Sequence, residues 1–445
     1  MTALILARIQ FGLTLAFHFF FLPISMGLSL LVLVMEAIYA WRQEQVYRRM
    51  AQFFGHLFTI NFAVGIVTGL IQEFQFGMNW SEFSRFSGAV IGIPLAVEAL
   101  LAFFMESVFL GVWGFGWEKF SAKVHAALMG LVALGANLSA FWILVANSWM
   151  QHPRGHGIEG DALAIADFGI MLSNPYLWQQ FPHTLLAAFA TTAFLVLGIS
   201  AYHLRRGQAQ GVFLPAAKMG IGVGLAASLL LAFTGHSYAQ TIEKLQPMKL
   251  AAMEALWESE EPAGFSLLAV IDPEARENPW SIEIPYLLSL LALNSFEGEV
   301  LGLNQLEAEM LEAYGPGDYL PPVVPVYWSF RVMVGLGLLL IFLSAWGAWL
   351  WRQGKLTQSR FFLILIPWAI PLPYLANTAG WLVAELGRQP FVIYALMRSE
   401  EGVSPGVGSA EILLTLSIFT LLYLALIITD IVLLARAARN PPQEA

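Results

Sequence analysis

The chain has 445 residues, of which 58% are hydrophobic and only 12% charged, and it carries a formal net charge of −9. A soluble domain carries about 25% charged residues, so this composition belongs in a bilayer rather than in water. The acidic balance argues against a nucleic-acid partner, and the absence of cysteine excludes disulfides, iron–sulfur clusters, thiolate-ligated haem and covalent haem attachment.

A helix needs about 20 apolar residues to cross the hydrocarbon. In chain order nine segments qualify, near 10–40, 53–73, 89–116, 124–148, 179–204, 212–234, 325–351, 361–385 and 410–435. The N-terminal apolar run continues through a helix-length segment, so it reads as a span and not as a cleavable signal. The fold class is therefore an all-α integral membrane protein of about nine transmembrane helices. Six of them fall in 1–235 and three in 325–445, separated by a long connection over 236–324.

Orientation follows from the loop cations. Counting alternate connections, one side collects thirteen Lys and Arg residues, including Arg42, Arg48, Lys119, Arg205, Arg352 and Arg439, and the other side seven. The richer side is expected in the cytoplasm, which places the N-terminus and the 236–324 loop outside and the C-terminus inside. That loop is acidic. Its first part has helical spacing, with Met248, Ala252 and Leu256 on one face, and its end, GPGDYLPPVVP, reads as an irregular return to the membrane.

Ionisable residues within spans cost about 2.5–3.5 kcal/mol at the bilayer centre, so each is a functional candidate. They are His18, Glu36, Glu98, Glu106, Arg331 and Glu385, with His183 near a span's outer end. His18, Glu98, His183, Met333 and Glu385 lie on five different spans yet share the outer half of the membrane. His183 and Met333 suit both axial positions of a low-spin haem, although Met333 is one of 15 methionines and most methionines fill cores. Arg331, two residues away, needs a partner such as a haem propionate. His18, alone in LAFHFFFLP, is either hydrogen-bonded to another helix or bound to iron. Glu98 and Glu106 are eight residues apart on one span and could be steps of a proton path, or each could bond a polar group on a neighbouring helix. Glu36 is expected to snorkel to the interface, and His56, His125 and His203 to sit at it.

The strings FHFFFLP, EFQFGMNWSEFSRFSG, PLAVEALLAFFMES, NLSAFWILVANSWMQHP, FPHTLLA, KLAAMEALWE, FRVMVG and GWLVAELGRQP stand in this order. Over essentially its whole length the chain resembles subunit I of cytochrome bd-type quinol oxidases. The resemblance implies a multi-pass protein of the prokaryotic cytoplasmic membrane that oxidises quinol on the outer side. It reduces oxygen to water with cytoplasmic protons, building a gradient without pumping. His183 and Met333 match the axial ligands of low-spin haem b, with Arg331 beside them. His18 and Glu385 match ligands of two high-spin haems, not assigned individually, one of type b and the other haem d or a third haem b. Glu98 matches an acid beside that pair and Glu106 one on the proton route; Trp381 and Arg388 match residues packed around it. Lys249 and Glu254 match positions of the quinol-oxidising Q-loop. The chain lacks the long insertion of one branch and resembles the short-loop branch, which includes cyanide-insensitive oxidases. Implied partners are a homologous membrane subunit II, small single-span subunits, quinol and oxygen. A haem–copper oxidase would need about six clustered histidines, where only His18 and His183 of eight look usable. A transporter would place its polar residues at the midplane of inverted repeats.

Overall fold

The computed structural model describes residues 2–442; Met1 and 443–445, and with them the C-terminal end whose side of the membrane the charges predict, lie outside the described residues. Among the described residues nine helical segments are long and apolar enough to cross a membrane, each covering one expected span. The first, third and eighth of them are broken. The first is α1 (Ala3–Phe19) followed by α2 (Leu22–Arg42), interrupted where Pro23 enters the chain. The second is α3 (Gln45–Met78). The third comprises α4 (Ser81–Val97), a π-helical turn (Glu98–Phe103) and α5 (Phe104–Gly114), and Pro94 removes one backbone donor just before the π-turn.

The fourth span is α6 (Ala122–Gln151). A short hairpin of β1 (His156–Glu159) and β2 (Ala162–Ile165) and a single-turn α7 (Phe168–Leu172) lead to α8 (Pro175–Arg205). The sixth span, α9 (Gln210–Leu245), continues well past residue 234, so the polar connection begins at Gln246. That connection holds α10 (Pro247–Glu254), the hairpin β3 (Phe265–Asp272) and β4 (Glu277–Ile284), then α11 (Leu287–Leu293) and α12 (Leu303–Tyr314). Helix α10 stops at Glu254 with Ala255 in the left-handed region, so Leu256 lies beyond the expected helical face. Residues 315–322 form neither helix nor strand, as their Gly and Pro content predicts.

The last three spans are α13 (Val323–Arg352); α14 (Arg360–Leu365), joined by a 3-10 turn (Ile366–Ala369) to α15 (Pro371–Leu386); and, after β5 (Phe391–Ile393), β6 (Met397–Arg398) and α16 (Ser399–Gly402), α17 (Ser409–Arg439). The hairpins were not legible in the sequence, but the membrane region is all-α. Helix α8 forms its axis, buried along most of its length against α9, α2 and α6.

Two expectations are corrected. Glu36 does not snorkel: it is 1% exposed, accepts from Trp113 Nε1 at 2.6 Å and meets His125 Nδ1 at 2.8 Å. His125 and His203 are likewise buried and bonded, His203 Nε2 to the Ala438 carbonyl at 2.7 Å, whereas His56 is exposed as expected. A carboxylate that cannot reach water must find donors, and these helices supply them.

Candidate functional site

The polar connection folds back onto the helix ends through α10. Met248, Leu250, Ala251, Ala252 and Met253 are all buried there, which draws Lys249 and Glu254 inward as well, 0% and 4% exposed. Glu258, Glu260 and Glu261, a few residues on, remain exposed. Glu254 is held by Arg331 of α13: Nη2 donates to Oε2 at 2.7 Å and Nη1 to Oε1 at 3.3 Å and to the Met253 carbonyl at 3.1 Å. The partner that the sequence left to a propionate is thus Glu254. The guanidinium also lies 4.3 Å from the ring centre of Tyr327 and 4.6 Å from that of Phe265. Burial raises the Glu254 carboxyl to about 7, with Arg331 opposing the rise. Burial and the nearby charge of Arg388 hold the Lys249 ammonium well below its usual range, against the pull of Glu385.

Beneath α10 lies an apolar cavity of about 360 Å³ whose wall includes His183, Met333, Lys249, Glu254, Asn377 and Trp381. Helix α8 contributes His183, whose Nδ1 is 3.2 Å from Thr234 Oγ1. A second, smaller cavity of about 110 Å³ is walled by Arg8, Trp381, Glu385 and Arg388. Trp381 borders both, and its ring stacks on Phe19 at 5.4 Å, next to His18. Glu385 is ion-paired with Arg388 and accepts from Asn147 Nδ2 at 2.9 Å and Gln151 Nε2 at 3.2 Å. His18 faces α3, with Nδ1 2.9 Å from Thr68 Oγ1; that hydroxyl donates to the Gly65 carbonyl, so Nδ1 carries the hydrogen and Nε2 is left with its lone pair.

Glu98 and Glu106 stand apart, against α6. Ser139 Oγ donates to Glu98 Oε1 at 2.6 Å. One turn along α6, Gly135 lets the backbones touch: a Cβ there would come within 2.8 Å of Glu106 N. Glu106 is 4% exposed, and its Oε1 has no partner among the described residues. The π-turn accounts for the shared direction. Eight α-helical steps of about 100° would leave the two acids about 80° apart, but a π-turn absorbs one residue, and seven steps leave them about 20° apart.

Residues 6–442 match the family described as "Cytochrome bd terminal oxidase subunit I". The chain belongs to this family. It is 46% identical over 427 residues to cytochrome bd ubiquinol oxidase subunit 1 of Bacillus subtilis (strain 168), covering 96% of this chain and 91% of the relative. It is 36% identical over 496 residues to cytochrome bd-II ubiquinol oxidase subunit 1 of Escherichia coli (strain K12), covering 98% and 96%. The structure of bd oxidase from Geobacillus thermodenitrificans superposes with a TM-score of 0.89 at 30% identity, covering 99% of each chain. As a cytochrome bd subunit I, the chain is a haem-bearing, multi-pass component of a terminal oxidase in the prokaryotic inner membrane. Subunit I also implies a subunit II partner.

The side chains of this cytochrome bd subunit fit haem. Each of three candidate ligands lies against a glycine: a Cβ at Gly69 would meet the His18 ring at 3.2 Å, one at Gly235 the His183 ring at 3.4 Å, and one at Gly380 the Met333 sulfur at 2.8 Å. Arg331 Nε and Arg388 Nε and Nη1 are buried without acceptors among the described residues, as donors meant for carboxylates would be. Sequence reasoning missed Asn147, Gln151, Tyr176 and Ser139. The only signal for the first two was their spacing of four on one helical face.

Proposed function

We propose that this subunit oxidises quinol beneath α10, on the outer side, and delivers cytoplasmic protons to oxygen reduction along α5 and α6. The observation that supports it is the burial of Lys249 and Glu254 in the wall of the cavity that His183 and Met333 also line. In this reading His183 and Met333 hold a low-spin haem b, and His18 and Glu385 hold the irons of two high-spin haems, one of type b and the other haem d or a further haem b. Bound haem supplies the one-electron transfers and the oxygen chemistry. The N–H groups that Arg331 and Arg388 do not spend on Glu254 and Glu385 would be free to help hold bound haem, and Trp381 closes the wall between the two cavities.

The chain's own part is proton handling. Glu254, ionised above about pH 7, accepts a proton from a quinol hydroxyl while Arg331 holds the carboxylate in place. Lys249 hydrogen-bonds the quinol's other oxygen, and the second quinol proton follows the first through Glu254 once that carboxyl has released the first to the outer side. From the opposite face a proton reaches Glu106, whose free oxygen takes it, and passes to Glu98, whose other oxygen Ser139 fixes. Uptake on one side and release on the other separates charge without a pump. The thirteen-to-seven excess of loop cations supports an outer position for α10. Subunit II, and small single-span subunits where present, complete the enzyme.

Met333→Leu tests the reading, since it removes the sulfur at nearly constant volume. The low-spin band is expected to convert to high spin, and quinol-driven oxygen uptake to fall at least tenfold. His183→Ala is expected to lose that haem altogether. An unchanged low-spin spectrum in Met333→Leu would show the sulfur to be ordinary packing.

A further inference from the structure

Lys249 is fully buried, yet among the described residues it meets no carboxylate. Its ammonium donates to Gln151 Oε1 at 2.7 Å and Tyr176 OH at 3.0 Å. Its stem runs directly over the end of α15, where a Cβ on Gly387 would come within 2.6 Å of Lys249 Cγ. Gln151, the last residue of α6 and also 0% exposed, turns its other amide atom toward α15: Nε2 donates to Glu385 Oε1 and to the Ala384 carbonyl, both at 3.2 Å. Gln246 Nε2 bonds the Gln151 carbonyl at 2.8 Å and Oε1 at 3.2 Å, so the chain entering α10 is tied to the same residue.

The amide cannot be reversed. Flipped, it would aim its N–H groups at an ammonium and its oxygen at a carboxylate, so chemistry alone fixes which atom faces which. Gln151 therefore has one position that serves two groups lying on different elements, a cation of the connection and a carboxylate of the membrane.

We infer that Gln151 is a positioning residue shared by the quinol site and the Glu385 haem site, so that a ligand which moves Lys249 alters the surroundings of Glu385, and the reverse. This rests on the reading above of Lys249 as a quinol contact and Glu385 as a haem ligand. Helix α10 then bridges both centres: Glu254 reaches Arg331, two residues from Met333, and Lys249 reaches Glu385 through one amide. Such coupling is reciprocal by linkage.

The experiment uses the complete oxidase with Gln151→Leu, Gln151→Glu and Gly387→Ala. Two quantities are read: KM for quinol, and the absorption bands of the high-spin haems before turnover, with and without an added short-chain quinone. Gln151→Leu removes both bonds; KM is expected to rise about tenfold, the bands to shift at rest, and the quinone-induced shift of the wild type to vanish. Gln151→Glu still accepts from Lys249 but faces Glu385 with an oxygen, so the bands are expected to shift with KM within about twofold of wild type. Gly387→Ala crowds the Lys249 stem and also the Val383 carbonyl of α15 while leaving Gln151 unsubstituted, so it keeps the inference testable where Gln151→Leu fails to assemble; both readouts are expected to move together. The inference is overturned if Gln151→Leu or Gly387→Ala changes one readout and not the other, or if quinone shifts the bands of Gln151→Leu as in wild type. Lys249→Ala separates the underlying reading: if its KM is unchanged the quinol assignment fails, whereas a raised KM beside an unaltered Gln151→Leu enzyme removes only the shared role.

Discussion

At the scale of single residues, the site depends on groups that pay for being buried. Glu254 is 4% exposed and pairs with Arg331 at 2.7 Å, while burial still lifts its carboxyl to about 7. As an acceptor of a quinol proton it must be ionised, so kcat/KM is expected to rise with pH through about 7 and level off above it. Glu254→Gln removes that rise and costs about 100-fold in quinol oxidation, within the range of a lost general base. Electron donors that bypass α10 should still support oxygen uptake; equal loss with both donors would mean the fold has failed instead. Residues of this kind were legible because ionisable groups in a membrane are rare and expensive. His18, Glu98, Glu106, His183, Arg331 and Glu385 stood out against apolar strings. Gln151 and Tyr176 did not, since amides and phenols occur throughout helix ends and only the fold shows what they join. Glu36 was visible but misread, because its donors, Trp113 and His125, lie 77 and 89 residues away.

At the scale of elements, hydropathy located every span, but not the breaks within them. The π-turn at Glu98–Phe103 matters most, since it brings Glu98 and Glu106 onto the side facing α6. If the two acids pass protons in sequence, Glu106→Gln keeps all haems bound and slows oxygen reduction about 100-fold, because an amide neither releases nor recaptures a proton. Glu98→Gln slows it too and also disturbs the high-spin bands. Haem content and turnover of the two variants decide the matter: full turnover in Glu106→Gln sinks the relay. A constant 100° per residue places the two acids near one face but about 80° apart, and the period alone does not reveal the closer alignment that the π-turn gives. The β3–β4 hairpin escaped for a different reason. Its strands, FSLLAVID and ENPWSIEI, are short, and the second is too polar to alternate cleanly.

At the scale of the whole molecule, the loop cations predict a C-terminus in the cytoplasm and α10 outside. A reporter active only in the cytoplasm, fused to the C-terminus, should give signal, and one fused within the β3–β4 turn should not; the opposite pattern reverses the direction of both proton paths. The chain also leaves long apolar faces open. Helix α17 exposes Leu413, Leu414, Ile418, Leu421, Ile428 and Ile431, side chains suited to lipid or to subunit II.

The π-turn also sets where this span tolerates a change of length. A deletion in α4 turns everything beyond it by about 100° and swings Glu106 and Trp113 off α6 and Glu36. Within Glu98–Phe103 the extra residue of the wide turn can be lost with α4 and α5 still in phase. Exposed Leu100 and Leu101 mark a single slot in the span where the gene can lose one codon and keep Glu98 and Glu106 aligned.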